Sequence, residues 1–181
     1  TLARIDNVNI VKFFEMLKTP NNYYFIYEFC NNGTLEDLLK TKGTFSEEEA
    51  IHIFKQLVNA YKTLVEENIM HRDLKPANIL LQNDQIKLAD FGFCKSMNSK
   101  DDMTKTMVGS PVYMAPEILK NLSYNSKAEI WSLGCVFFEL LFGECPYEDN
   151  SITDLIASIS TKPVTFYKNV QNISPLTEDI L

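Results

Sequence analysis

From Lys127 to Phe142 the chain carries Ile130, Trp131, Leu133, Val136, Phe137, Phe138, Leu140 and Leu141, with Gly143 following. At helical spacing these residues surround almost the whole circumference of one helix. A helix apolar on every side cannot lie on a surface, so the rest of the chain must be wrapped around it. The 181 residues, 45% hydrophobic and 23% charged, can do this. At about 150 residues per domain they make one domain, or one with a fragment of another, and bury on the order of 70% of the unfolded surface. No run approaches the roughly 18 apolar residues of a membrane span. The net charge of −7 has its signs interleaved, and no basic stripe suggests a nucleic-acid partner. No charged start followed by an apolar run marks a secretory signal. Cys30, Cys94, Cys135 and Cys145 form no C-x-x-C pair, and only His52 and His71 could join them, which argues against zinc. Free thiols in a reducing, cytoplasmic location are expected.

Local signals fill in the elements around that helix. Phe13 to Leu17 and Tyr23 to Phe29 are β-rich runs separated by Thr19-Pro20-Asn21-Asn22. Thr34 is an N-cap for a helix with Leu35, Leu38 and Leu39 on its apolar face, stopped by Gly43. Ser46 and Glu49 form a capping box opening a long helix whose face is Ala50, Ile53, Phe54, Leu57, Tyr61, Leu64 and Val65. His52 falls off that face. Ile79 to Leu81 and Gln85 to Leu88 read as two short strands turned by Asn83-Asp84. Residues 89 to about 125 lack periodicity, and a loop that long in a compact domain points to function. Ile152, Leu155, Ile156 and Ile159 mark a further amphipathic helix.

The chemistry concentrates in His71-Arg72-Asp73-Leu74-Lys75-Pro76-Ala77-Asn78, followed twelve residues after Asn78 by Asp90-Phe91-Gly92, and later by Ala115-Pro116-Glu117. Singly, Asp73 or Asp90 reads as a cap or turn residue and Lys75 as a solvated charge. Together, in this order and with a hairpin between them, they match the protein-kinase signature set. The sequence resembles the eukaryotic protein kinase family over essentially its whole length. The fold implied is α+β and protein-kinase-like: mainly the helical C-lobe, with the last N-lobe strands and the hinge. Residues 1–29 would be a partial N-lobe, with the end of the family's helix C and two strands. Residues 30–181 would be the hinge and a C-lobe lacking its final helices.

The resemblance assigns roles residue by residue. Asp73 would orient the substrate hydroxyl and accept its proton, and Lys75 would offer a cation to the transferring phosphate. Asn78 and Asp90 would be the Mg²⁺ ligands, hard oxygens suited to that ion. ATP would lie against Tyr27, Glu28, Cys30, Thr34 and Leu80. Tyr27 would be the gatekeeper, the Glu28 carbonyl and Cys30 amide would face adenine, Leu80 would floor the pocket, and Thr34 would meet ribose. Lys75, Asn78 and Asp90 would meet the phosphates and metal. Tyr27 and Leu80 also read as plain core. Leu2, Phe13, His71 and Phe91 match the family's stacked spine. Thr106 fits the activation-loop phosphosite, with Arg72 and Lys95 as phosphate partners. An unmodified loop threonine is its simpler reading.

Lys75 and Gly109-Ser110-Pro111 resemble serine/threonine kinases, so protein Ser/Thr hydroxyls are the implied substrates. Ala77 stands where Arg-directed kinases carry Glu. Asp90-Phe91-Gly92-Phe93 and Trp131-Ser132-Leu133-Gly134 look most like the Unc-51-like, autophagy-initiating kinases, with calcium/calmodulin-dependent kinases next. The Gly-rich loop, its strand Lys and the helix-C Glu do not occur in the 181 residues, so a piece of a larger kinase, inactive alone, is expected. Glu129 stands where the family has Asp, and the extra methylene threatens the placement of Asp73. A non-catalytic kinase-fold binding module is therefore the alternative, ahead of a short interaction protein.

Overall fold

The computed structural model describes residues 5–99, 102–167 and 172–181. In chain order it contains β1 (Phe13–Lys18), β2 (Tyr23–Tyr27), α1 (Leu35–Lys42), α2 (Glu47–Glu66), β3 (Ile69–Met70), β4 (Ile79–Gln82), β5 (Gln85–Leu88), β6 (Lys95–Ser96), α3 (Pro116–Leu119), α4 (Ala128–Phe142), α5 (Ile152–Thr161) and α6 (Pro175–Ile180). The mixture of helix and strand is that of a kinase-like α+β fold. Each strand pair is antiparallel: β1 with β2, β3 with β6, and β4 with β5.

The helix starts are legible in the sequence because their caps are local. Thr34 accepts from Asp37 N while the Asp37 carboxylate reaches back to the Thr34 backbone, and Gly43 closes α1 at φ 82°. Ser46 and Glu49 do the same for α2. Both boxes satisfy N–H groups that a helix end leaves orphaned.

The centre of the molecule is α4 against α2. Leu57, Ala60 and Leu64 of α2 are buried beside Leu133, Val136, Phe137, Phe138, Leu140 and Leu141 of α4. Phe54 stacks on Phe137 with ring centroids 4.3 Å apart. The first turn of α4 departs from the expected all-round burial. Ile130 is 58% exposed while Glu129 is 3% exposed, so the polar side chain points in and the apolar one out.

A second set of contacts fixes the β4–β5 hairpin. Asn9 donates to Gln56 Oε1 and to the Ile86 carbonyl, and Val11 N donates to the Leu88 carbonyl. The hairpin is thereby held between α2 and the segment before β1. The β1–β2 ribbon extends from this body with Phe14, Met16, Tyr24 and Phe25 exposed. At the far end, Ser174 N and Oγ and Thr177 Oγ1 donate to the Glu47 carboxylate, which ties α6 to the first turn of α2. The aperiodic stretch after residue 89 resolves into short pieces: a 3-10 turn over Phe91–Phe93, β6, a Thr104–Tyr124 bridge, a 3-10 turn over Pro111–Tyr113, and α3. Among the described residues no helix is long and apolar enough to cross a membrane.

Candidate active site

The loop between β3 and β4 carries Asp73, Lys75 and Asn78, and a 3-10 turn over Pro76–Asn78 folds it back on itself. That return brings Asn78 Nδ2 to both the Asp73 carbonyl and Asp73 Oδ2, each at 2.8 Å. Lys75 Nζ lies 3.0 Å from the same Oδ2. The other oxygen, Oδ1, accepts from Ser110 Oγ at 3.0 Å, and that hydroxyl in turn accepts from Lys75 Nζ at 2.8 Å. Burial works to raise the Asp73 carboxyl, but the hydrogen bonds from Lys75, Asn78 and Ser110 outweigh it and hold the pKa below the ordinary carboxylate value. Asp73 is thus a charged, fixed acceptor at neutral pH. An ammonium has three protons, so Lys75 keeps one beyond its bonds to Asp73 and Ser110.

Two further contacts set this loop. His71 is buried, with Nε2 2.9 Å from the Ala89 carbonyl and Nδ1 accepting from Asp73 N at 3.3 Å, which together define a neutral ring protonated at Nε2. Burial depresses its pKa, consistent with that state. Phe91 packs edge-on against the His71 ring at 5.2 Å. Gly109, at φ 109°, passes so close that a Cβ there would lie 2.4 Å from the Arg72 carbonyl oxygen. Only glycine fits that approach.

Asn78 and Asp90 are brought together by backbone pairing. Ile79 pairs with Leu88, and Ala89 N donates to the Asn78 carbonyl at 2.9 Å, so the two residues flank the base of one hairpin. Asp90 adopts a left-handed conformation at φ 58° and its Oδ1 accepts from Gly92 N. Asn78 Oδ1 has no donor among the described residues. The oxygens left over on Asn78 and Asp90 therefore suit a hard cation such as Mg²⁺ that takes its remaining ligands from phosphate and water. No cluster of three or more His, Cys, Asp or Glu able to hold a metal occurs among the described residues.

Of the residues expected to face adenine and ribose, Tyr27 ends β2, Glu28, Cys30 and Thr34 follow it, and Leu80 lies on β4. The Glu28 carboxylate pairs with Lys87 of β5 at 2.7 Å, both side chains being largely buried. Leu80 bridges to Thr34, and Leu81 N donates to the Gly33 carbonyl. Burial, with the Asp90 charge adding to it, raises the Tyr27 phenol. Cys30 Sγ is 3.6 Å from Gln82 Oε1. The Thr34 hydroxyl donates to Asp37 Oδ2 and accepts from Asp37 N, which leaves it one acceptor lone pair for a ribose hydroxyl.

Other expected contacts differ. Phe13 packs on Phe25 and Tyr27, at 6.5 and 5.4 Å between centroids, while the spine position Leu2 lies outside the described residues. Lys95 donates to Thr104 Oγ1 at 2.9 Å and Arg72 Nε to the Phe93 carbonyl at 2.6 Å, so neither cation is on Thr106 in this form. Thr106 is exposed, its carbonyl accepting from Tyr124 Oη. Sequence reasoning gives Ser110 no role of its own. Its only signal is the Gly109-Ser110-Pro111 run, which reads as a marker of kinase type.

The protein kinase domain family matches residues 1–180. The chain is 37% identical over 162 residues to the serine/threonine-protein kinase ATG1a of Arabidopsis thaliana, covering 87% of this chain and 26% of that protein. It is 36% identical over 178 residues to the serine/threonine-protein kinase atg1 of Dictyostelium discoideum, covering 94% and 26%. It is 37% identical over 164 residues to the serine/threonine-protein kinase ULK1 of Homo sapiens, covering 85% and 16%. The chain thus spans about a quarter or less of the length of these relatives. On the family match and the identities together, this chain belongs to the protein kinase domain family, on its serine/threonine side.

Proposed function

We propose that the protein containing this chain transfers the γ-phosphate of ATP to Ser and Thr hydroxyls of protein substrates with Mg²⁺, and that Asp73, Lys75, Asn78 and Asp90 carry the step. The observation that supports this most is the Asp73 carboxylate, buried and fixed by Lys75, Asn78 and Ser110. A carboxylate so held accepts the hydrogen bond of an incoming hydroxyl, aims its oxygen, and takes its proton as the new bond forms. The third Lys75 proton is available to an oxygen of the moving phosphoryl group. Phosphoryl transfer needs such positioning and charge neutralisation more than covalent work by the protein. Asn78 and Asp90 would hold Mg²⁺, which when bound neutralises phosphate oxygens. Tyr27, Glu28, Cys30, Thr34 and Leu80 would seat the nucleoside. Residues 1–29 are read as part of an N-lobe and residues 30–181 as hinge and C-lobe.

The non-catalytic reading draws on Glu129, whose extra methylene threatens the catalytic loop. Its Oε1 nonetheless accepts from Arg72 N at 2.7 Å. Phosphoamino-acid analysis of protein substrates incubated with γ-labelled ATP and the full-length protein tests the proposal. Label on Ser and Thr is expected. Label confined to Tyr, or none, overturns it.

A further inference from the structure

Between β6 and Ser110 the described chain is irregular, and Lys105, Thr106 and Met107 are exposed. Thr104 is not. It is 4% exposed and lies against Tyr124, itself 3% exposed, in the segment before α4. The two exchange backbone hydrogen bonds, Thr104 N to the Tyr124 carbonyl at 2.8 Å and Tyr124 N to the Thr104 carbonyl at 2.9 Å. Tyr124 adds its side chain, Oη donating to the Thr106 carbonyl at 2.6 Å. The Thr104 hydroxyl accepts from Lys95 Nζ at 2.9 Å and from Thr106 N at 3.5 Å. Lys95 is itself set by β6, where it pairs with Met70, and Arg72 follows shortly after Met70.

A phosphate on Thr106 would order this segment by recruiting cations. In the unmodified chain Lys95 and Arg72 Nε donate to the Thr104 hydroxyl and the Phe93 carbonyl, and it is Tyr124 that ties the segment down. A buried phenol needs a partner for its hydroxyl, and Tyr124 takes the Thr106 carbonyl. What is held there leads directly to the reacting groups. Gly109 passes against the Arg72 carbonyl, and Ser110 Oγ donates to Asp73 Oδ1. Tyr124, Arg72, Asp73 and Ser110 line one cavity of about 20 Å³.

We propose that Tyr124 is a positioning residue for phosphoryl transfer, fixing the stretch that ends on Ser110 and Asp73 by its grip on the Thr106 carbonyl, so that transfer does not require a phosphate on Thr106. This rests on the kinase reading above. The contact is made to the backbone of Thr106, so the Thr106 side chain is not needed for it. Without the Tyr124 hydroxyl the upstream end of the stretch keeps only the bridge at Thr104, and Ser110 is held less firmly on Asp73.

The test compares kcat at saturating Mg·ATP for the full-length protein and for its variants Thr106→Ala, Tyr124→Phe and the two combined. Alanine cannot be phosphorylated but keeps the carbonyl that Tyr124 holds. Phenylalanine keeps the buried ring and loses one hydrogen bond. Tyr124→Phe should lower kcat by ~5-fold in either background, the scale of one neutral hydrogen bond, with KM for ATP unchanged. Thr106→Ala should cost less than that. Combined with Ser110→Ala, Tyr124→Phe should add little further loss, because it acts through Ser110, whereas a merely structural role would add in full. Hydrogen exchange of the Thr104 amide in the Thr106→Ala protein reads the docking itself, and slow exchange is expected. A loss from Thr106→Ala as large as that from Tyr124→Phe, full additivity with Ser110→Ala, or a Thr104 amide that exchanges like unstructured chain overturns the proposal. Absence of any phosphate transfer by the parent would instead remove the kinase reading beneath it, an outcome told apart because the Thr104 exchange needs no activity.

Discussion

Ser110 Oγ lies 3.0 Å from Asp73 Oδ1 and 2.8 Å from Lys75 Nζ, so one hydroxyl from the long segment after β6 joins the carboxylate and the ammonium of the loop between β3 and β4. It donates to the first and accepts from the second. Removing it frees Lys75 to pivot and takes a donor from a buried carboxylate. Ser110→Ala should lower kcat by roughly 10-fold, the scale of one lost hydrogen bond to a charged group. Ser110→Thr should keep most of the activity. Steady-state kinetics at saturating ATP read both.

Gly109→Ala should be far more damaging than its size suggests. The added Cβ would lie 2.4 Å from the Arg72 carbonyl oxygen, at a φ of 109° that side chains rarely adopt. The Arg72–Asp73 backbone must move to make room, and a misplacement of about 1 Å can cost ~10²-fold in rate. Expected is such a fall in kcat together with a lower thermal midpoint. Unchanged kinetics would mean the segment can move away freely.

Asn78 belongs to the Asp73 network through its Nδ2, whereas the Asp90 carboxylate accepts from Gly92 N of its own turn. Asp90→Ala should therefore abolish Mg²⁺-dependent nucleotide binding while leaving the fold intact. Calorimetric titration with ATP, with and without Mg²⁺, separates this from a general loss of structure.

The buried Glu129 carboxyl also predicts a pH dependence of stability. Its folded pKa is raised, to about 7 from an unfolded 4.5. The folded state binds the proton more tightly between those values, so this contribution is full below about 4.5 and lost as pH rises through about 7. The loss is about 3 kcal/mol, since each tenfold gain in proton affinity is worth about 1.4 kcal/mol. Denaturant unfolding at a series of pH values should show stability falling over that window, and Glu129→Gln should remove the fall.

Much of this is legible in the sequence because it is local. Thr34 with Asp37, and Ser46 with Glu49, announce their helices within four residues, and Asn83-Asp84 announces the hairpin. The kinase signature places Asp73, Lys75, Asn78 and Asp90 because its spacing encodes the hairpin that gathers them. What is not legible depends on distant partners. Periodicity puts Ile130 inside, but Glu129 is buried instead and its Oε1 accepts from the Arg72 N–H, 57 positions away. Ser110 reaches Asp73 across 37 positions, and no local pattern reports that contact. The resemblance makes Arg72 and Lys95 the partners of a phosphate on Thr106, and no local pattern reports that in the unmodified chain Lys95 donates to the Thr104 hydroxyl.

The most direct test of the central claim is the single-turnover rate of phosphate transfer by the full-length protein carrying Asp73→Asn. The amide retains the shape of the side chain but loses the charge that aims the substrate hydroxyl and accepts its proton. A fall of at least ~10²-fold in the transfer rate is expected, with ATP affinity little changed. A variant that transfers phosphate as fast as the parent would contradict the assignment of Asp73 and the account built on it.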